Sequence, residues 1–205
     1  MFLAQTVAPV VAPVTLDEVK AHCVIEHDLD DALLKTFIGA ATAHGENETG
    51  RGFVEAEYQL AIDRFPGPMA AYNGLGGPIE LLKPPIKAVT SVAYTNREGE
   101  DVTLVVSGDY LVSLDGCVYP YYVSRRQWPT DAALWGGAVR VNYTAGYPVV
   151  NGAATTPDGI KAWLLIRIAD LYENRESIVI GPGVNKLPPH FADGLLDAFR
   201  VPKVV

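Results

Sequence analysis

This sequence is poor in most of what an enzyme or a nucleic-acid binder would show. Of its 205 residues only 20% are charged, and bases are the scarcer sign, 16 Lys and Arg against 24 Asp and Glu, for a formal charge of -8. A protein that grips phosphate gathers Lys and Arg on one face, so this balance argues against nucleic acid as the main partner. Cysteine is nearly absent: Cys23 and Cys117 lie far apart and form no CxxC pair. They read as reduced thiols, with one bridge between them left open. Long apolar runs are missing too. The opening MFLAQTVAPVVAPV lacks a basic start and is broken by Pro9 and Pro13, and no other stretch has the length of a membrane span. A soluble intracellular protein without a membrane partner is expected.

Motifs of chemistry are equally scarce. There is no GxSxG, and neither cysteine nor histidine has a nucleophile's context. His22 and His27 stand near Asp28, Asp30 and Asp31, but a spacing of five is not HExxH and does not share one helical face. A turn between helices is the plainer reading. The glycine-rich NGLGGP (Asn73–Pro78) and GPGVNK (Gly181–Lys186) lack the GK[ST] of a P-loop. Glu98 and Glu100 sit in an expected hairpin tip, where solvated carboxylates are the default. Tyr119, Tyr121, Tyr122, Trp128 and Trp135 could stack sugars or bases, although aromatic residues of a sheet more often belong to its core. No catalytic residue, cofactor or metal is assigned, and no enzyme is expected.

What the chain does hold is apolar pattern, 49% of its residues. Thr15-Leu-Asp-Glu18 spells a capping box ahead of Leu16, Val19 and Cys23 at helical spacing. A second helix is expected from about Asp28–Asp30, with Leu29, Leu33, Phe37 and Ala41 on one face and Gly50 past its end. Residues 1–60 hold ten acids and three bases, so this hairpin carries most of the negative charge. From Phe53 the period changes. EYQLAIDRF, IELL, AVTSVAY, DVTLVV, DYLVSL, CVYPYYV and AVRVNYTAGY are short β-rich runs between Gly, Pro, Asn and Asp punctuation, with TNREGED as a hairpin tip. Helix returns after TTPDG, with Thr156 as the expected N-cap and Pro157 at the first helical position. Ile160, Trp163, Leu164, Ile168, Leu171 and Tyr172 line its face.

The order α–α, β, α predicts an α+β fold: a helical core of N-terminal hairpin and C-terminal helix, with an inserted small antiparallel β domain and an extended C-terminal tail. The expected boundaries are an arm over 1–14, the hairpin over 15–53, the β domain over 54–150, the helix over 155–177 and the tail over 178–205. At the end of that helix, LYENRES places Tyr172, Glu173, Asn174 and Arg175 at the edge of the core. The Arg175 guanidinium could clamp a carboxylate of the acidic hairpin or of a neighbouring copy.

Taken in order, PVTLDEVKAHCVIEHDLDDALLKTFIGAATAHGENETGR, LAIDRFP, IELLKPPIKAVTSVAY, DYLV, WP, AVRVNYTAGYP, LYENRES and LPPHFADGLLDAFR make the chain similar to the head-tail connector proteins of tailed phages. These are also called adaptor or head-completion proteins, and the resemblance is to a longer prophage-type variant. It covers nearly everything from Pro13 to Arg200. The resemblance implies a homo-oligomeric ring, typically of twelve copies, in the virion neck below the portal protein. Such a ring extends the DNA channel without sequence-specific binding and seats the stopper or tail-completion protein. It would be made in the cytoplasm of a bacterial host, for a phage or a gene transfer agent. In the family the C-terminal segment reaches toward the portal. Here that implies Ile178–Val205, with Ile178, Val179, Ile180, Leu187, Phe191, Leu195, Leu196 and Phe199 as portal anchors. Met1–Ala12 departs from the family's usual start. Two alternatives stand beside this reading: a stopper or tail-completion protein of the same neck, and a carbohydrate-binding β module using Tyr121, Tyr122, Trp128 and Trp135.

Overall fold

The structure, a computed structural model, describes residues 1–67, 76–113, 117–120, 127–174 and 189–201, with backbone alone for 117–120 and 189–191. The chain is α+β and divides into two units, each built from two stretches of chain. Residues 1–9 and 56–146 form a β unit; residues 10–55 and 147–205 form a helical unit.

The β unit contains β1 (Phe2–Val7), β2 (Ala56–Ile62), β3 (Ile79–Glu80), β4 (Ile86–Thr95), β5 (Asp101–Leu104), β6 (Tyr110–Val112), β7 (Cys117–Pro120) and β8 (Val139–Ala145). Five of them make an antiparallel sheet in the order β1-β2-β8-β4-β5, and β3-β7-β6 make a smaller one. Period-two alternation decides which face is buried. In β8, Val139, Val141, Tyr143 and Ala145 point into the core, while Arg140, Asn142 and Thr144 between them are only half-buried. Tyr58 and Leu60 of β2 and Val92 and Tyr94 of β4 complete that inner face. On the other face Gln59, Asn142 and Ser91 hydrogen-bond in a row across three strands. The TNREGED tip turns β4 into β5 through Asn96–Gly99, where Gly99 takes a φ of 87° that disfavours any side chain.

Phe2–Val7, to which the sequence pattern gives no role, is the edge strand of the sheet. It pairs with β2 from Phe2 opposite Ala61 to Val7 opposite Glu57, with an irregularity between Gln5 and Val7. No alternation of polar and apolar residues marks this strand, so pairing with β2 defines it rather than local pattern.

The helical unit contains α1 (Leu16–Cys23), α2 (Asp31–Thr49), α3 (Asp158–Glu173) and α4 (Pro189–Asp197), with a two-stranded hairpin of β9 (Val149–Val150) and β10 (Ala153–Ala154). The capping box forms: the Thr15 amide donates to Glu18 Oε2 at 2.6 Å, and the Glu18 amide donates to Thr15 Oγ1 at 3.1 Å. Gly50 ends α2 in the left-handed conformation, φ 72°. Val24 does the same for α1 at φ 56°, an unfavourable place for a β-branched residue. One expectation needs correcting. Thr156 does not cap α3; Pro157 holds that position, and the Thr156 hydroxyl instead donates to the Phe53 carbonyl at 2.6 Å in the interior. That donation satisfies a buried carbonyl in the interior of the unit.

The core of this unit joins Val14, Val19, Leu34, Ile38, Phe53, Ile160, Trp163, Leu164 and Ile168. Among the described residues, no helix is long and apolar enough to cross a membrane.

Candidate docking site at the end of the helical unit

The last turn of α3 carries the residues expected to clamp the acidic hairpin. Tyr172 does reach it: its hydroxyl donates to Asp30 Oδ2 at 2.7 Å, tying the end of α3 to the start of α2. Asn174 closes the helix, with its amide and its Nδ2 both donating to the Asp170 carbonyl at 3.0 and 3.1 Å. Glu173 is exposed beside Cys23; burial first, and the Glu173 charge second, push the Cys23 thiol up. Arg175 lies outside the described residues. Lys20 of the hairpin itself and Lys161 of α3 meet the hairpin's acids. Lys20 bridges Asp28 and Asp31 at 2.5 and 2.7 Å, and Lys161 reaches Glu18 at 3.1 Å.

The segment expected to leave the domain returns to it in α4. Leu196 is 1% exposed within the helical core, Ala192 is buried, and Leu195 and Phe199 pack against the same core. A Cβ on Gly159 would stand 3.0 Å from the Phe199 ring, so the small residue lets the ring approach the start of α3. Leu196, one of the expected portal anchors, has its side chain buried by its own chain. The side chain of Phe191, and all of Ile178, Val179, Ile180 and Leu187, lie outside the described residues.

Charge fixes α4 as well. The Arg167 guanidinium lies over the Trp163 ring, 5.4 Å from its centroid, and donates to Asp193 Oδ1 at 2.5 Å, with Asp170 3.7 Å away. Trp163 Nε1 approaches the same Asp193 oxygen at 3.5 Å. Burial works to raise the Asp193 pKa, but the Arg167 and Trp163 donors outweigh it and hold the carboxyl below the usual carboxylate range. Beyond α4, Arg51 Nε donates to the Phe199 carbonyl and the Val201 amide donates to the Thr49 carbonyl at 2.8 Å. The i, i+4 spacing of Trp163 and Arg167 was visible in sequence; their partner in a segment read as a tail was not.

The aromatic surface expected to read sugars does not form around Trp128. That residue is buried, stacks on Phe65 at 4.9 Å and donates its indole N–H to the Gly77 carbonyl at 2.8 Å. It is core, and the ligand-binding reading is without support. Tyr121 and Tyr122 lie outside the described residues, as do the side chain of Tyr119 and residues 73–75 and 181–186 of the glycine-rich loops. Among the described residues, no group of three His, Cys, Asp or Glu could hold a metal ion.

The helical unit thus carries a capped acidic hairpin, and the antiparallel β unit is built from two separate stretches of chain. Residues 13–109 match the sequence profile of the family described as "Phage gp6-like head-tail connector protein". No curated protein matches the chain. Solved structures share its fold. The neck of an empty gene transfer agent particle, computed with C6 symmetry, superposes with a TM-score of 0.76 at 17% identity. The virion of a native gene transfer agent particle gives 0.75 at 16%, and the neck of a native particle computed with C12 symmetry gives 0.74 at 18%. Each comparison covers 100% of this chain and 98% of the other.

Proposed function

We propose that this protein is a structural head-tail connector of a phage-like particle. Copies form a ring in the virion neck below the portal protein, prolong the DNA channel and seat the stopper or tail-completion protein. The observation that carries this reading is the family match over the helical hairpin and strands β2 to β5. The full-length likeness to neck structures supports it, and the C12 symmetry of one of them supports a ring of twelve. In this reading the helical unit is the core and residues 54–150 are an insertion in it. The net charge of -8 suits a conduit, because a wall short of cations gives passing phosphates little to hold. The role needs no catalytic group.

With α4 packed on its own unit, contact with the portal falls to the stretch ahead of it, where Ile178, Val179, Ile180 and Leu187 are the apolar candidates. The test is assembly on the purified portal ring of the same genome, imaged by electron microscopy. The full chain should add a ring of density below the portal, and a chain with Ile178, Val179 and Ile180 all changed to Ser should not. Absence of density with the full chain would sink the connector reading. Equal density with both chains would keep it and remove the role of the three residues.

A further inference from the structure

The face of the five-stranded sheet turned away from its core is hollowed at one place, and a pairing irregularity lies on either side of it. β2 and β8 pair without interruption through Tyr58 opposite Tyr143. On one side of that pair β1 carries an extra residue. Gln5 faces Tyr58 and Val7 faces Glu57, which leaves Thr6 with no residue opposite it. On the other side β4 does the same: Val89 faces Tyr143, Ser91 faces Asn142, and Thr90 is left over. Bulges bend a strand, tighten its twist and re-aim the extra side chain, and they are frequent beside binding sites. Here two of them, each with an exposed threonine, bracket a single pair of residues.

Between them lies a cleft of about 280 Å³. Thr6 and Glu57 line it from β1 and β2, Asn142 from β8, and Thr90 and Ser91 from β4. Tyr58 and Tyr143, core residues whose rings stack at 5.8 Å, give it a firm floor. Pockets for drug-sized molecules hold roughly 300–1,000 Å³, so this one suits a group the size of a single side chain. Its polar groups are held in place. Gln59 Nε2 donates to Asn142 Oδ1 and Asn142 Nδ2 to Ser91 Oγ, both at 2.9 Å, so the row is ordered before anything binds.

The chemistry of the lining is one-sided. Glu57 brings a carboxylate, the residues around it bring hydroxyls and an amide, and no Lys, Arg or His is among them. An anion would meet that carboxylate unopposed, which excludes phosphate and nucleic acid. A calcium ion needs more hard oxygen ligands than one carboxylate among neutral groups supplies. A cation rich in hydrogen-bond donors fits. We infer that the cleft is a guanidinium site, taking an arginine side chain of a neighbouring protein in the particle, with Glu57 as its counter-charge. The planar guanidinium carries five N–H donors in a fixed fork and meets a carboxylate two bonds at a time, whereas a lysine ammonium is a point charge on a flexible stem. The hydroxyls of Thr6, Thr90 and Ser91 accept the donors that Glu57 does not. The source of the arginine rests on the connector reading above; the site itself does not.

The test titrates the full chain, isotopically labelled, with N-acetyl-arginine methylamide and follows its amide NMR signals. Those of Thr6, Glu57, Thr90, Ser91 and Asn142 should shift together and saturate with a dissociation constant on the order of 1 mM. The citrulline counterpart, alike in shape but uncharged, should bind at least about tenfold more weakly. The lysine counterpart should also bind more weakly. Glu57→Gln, an isosteric change at an exposed position, should fold like the wild type and lose at least about tenfold in affinity. Thr6→Val, on the edge strand, should lose about fivefold. Shifts scattered over the surface, equal affinity for the citrulline compound, or both variants binding like the wild type would overturn the site. Equal binding of the lysine compound would overturn its assignment to guanidinium. The titration needs no portal, so its failure leaves the connector reading standing. A chain that binds the arginine compound yet builds no ring on the portal keeps the site and removes the connector reading alone.

Discussion

Leu196→Ala tests whether α4 is part of the helical core. The side chain is 1% exposed and lies among Ile160, Trp163 and Leu164. Truncation removes three carbons, each contributing about 0.8 kcal/mol of burial, for a transfer loss of ~2.4 kcal/mol. The cavity left behind adds to this, as core Leu→Ala changes cost about 3–5 kcal/mol when the site cannot collapse. Collapse is resisted here, because α4 is also held by Arg167 on Asp193 and by Val201 on the Thr49 carbonyl. We expect a loss of about 3 kcal/mol. Urea denaturation followed by helical circular dichroism measures it, with Leu29→Ala as the control, since Leu29 is 90% exposed. The control should change stability by less than ~0.5 kcal/mol. Amide exchange at Ala192–Asp197 should quicken in the core variant. If the two variants melt together within ~0.5 kcal/mol, α4 is a detachable tail and the argument from burial is refuted.

Two further expectations follow from the same unit. Gly45→Ala would put a Cβ 2.6 Å from Phe53 Cε2 and 2.9 Å from Trp163 Cζ3, so overpacking should cost about 1–3 kcal/mol; an unchanged melting temperature would count against that geometry. Stability of the helical unit should fall as acid is added. Glu18 and Asp193 both have folded pKa values below the ordinary ones: burial opposes the shift, but the Thr15 amide and Lys161 lower Glu18, and Arg167 and Trp163 lower Asp193. The unfolded chain then binds protons more readily, so this stabilisation is present above the ordinary carboxylate pKa and is lost as pH falls through the depressed values. Asp193→Asn should flatten the acid limb of a stability–pH curve; an unaltered slope would show that the Arg167 pair contributes nothing, as many exposed pairs do.

Local signals carried much of the fold into the sequence. Thr15 and Glu18 need only each other to announce a helix start, and Gly50 needs only its missing Cβ to mark an end. The run from Val139 to Ala145 alternates because one face of β8 is buried, and that alternation is legible in any half-buried strand. Features that depended on distant partners were hidden. Phe2–Val7 becomes a strand by pairing with β2, Thr156 donates to the Phe53 carbonyl, and Val24 ends α1 where pattern would ask for glycine. At the docking site, the nearness of Tyr172 to the acidic hairpin could be read from helical spacing. The return of α4 could not, because the amphipathic pattern of Phe191, Leu195, Leu196 and Phe199 looks the same whether its apolar face covers its own core or another protein.

The two units share the chain in alternating stretches, and this has a consequence for biosynthesis. β1 leaves the ribosome first, but Ala56 of its partner strand lies opposite Ala145, and the core of the helical unit waits for Trp163, Leu164 and finally Leu196. At about 5–20 residues per second, the nascent chain spends several seconds with strands unpaired and the apolar face of α2 uncovered. The β unit cannot close until residue 146 has emerged, and the helical unit waits for Leu196. The alternation also means that no single continuous fragment reproduces either unit. An isolated β unit would have to be made by joining residues 1–9 to residues 56–146 through a new linker.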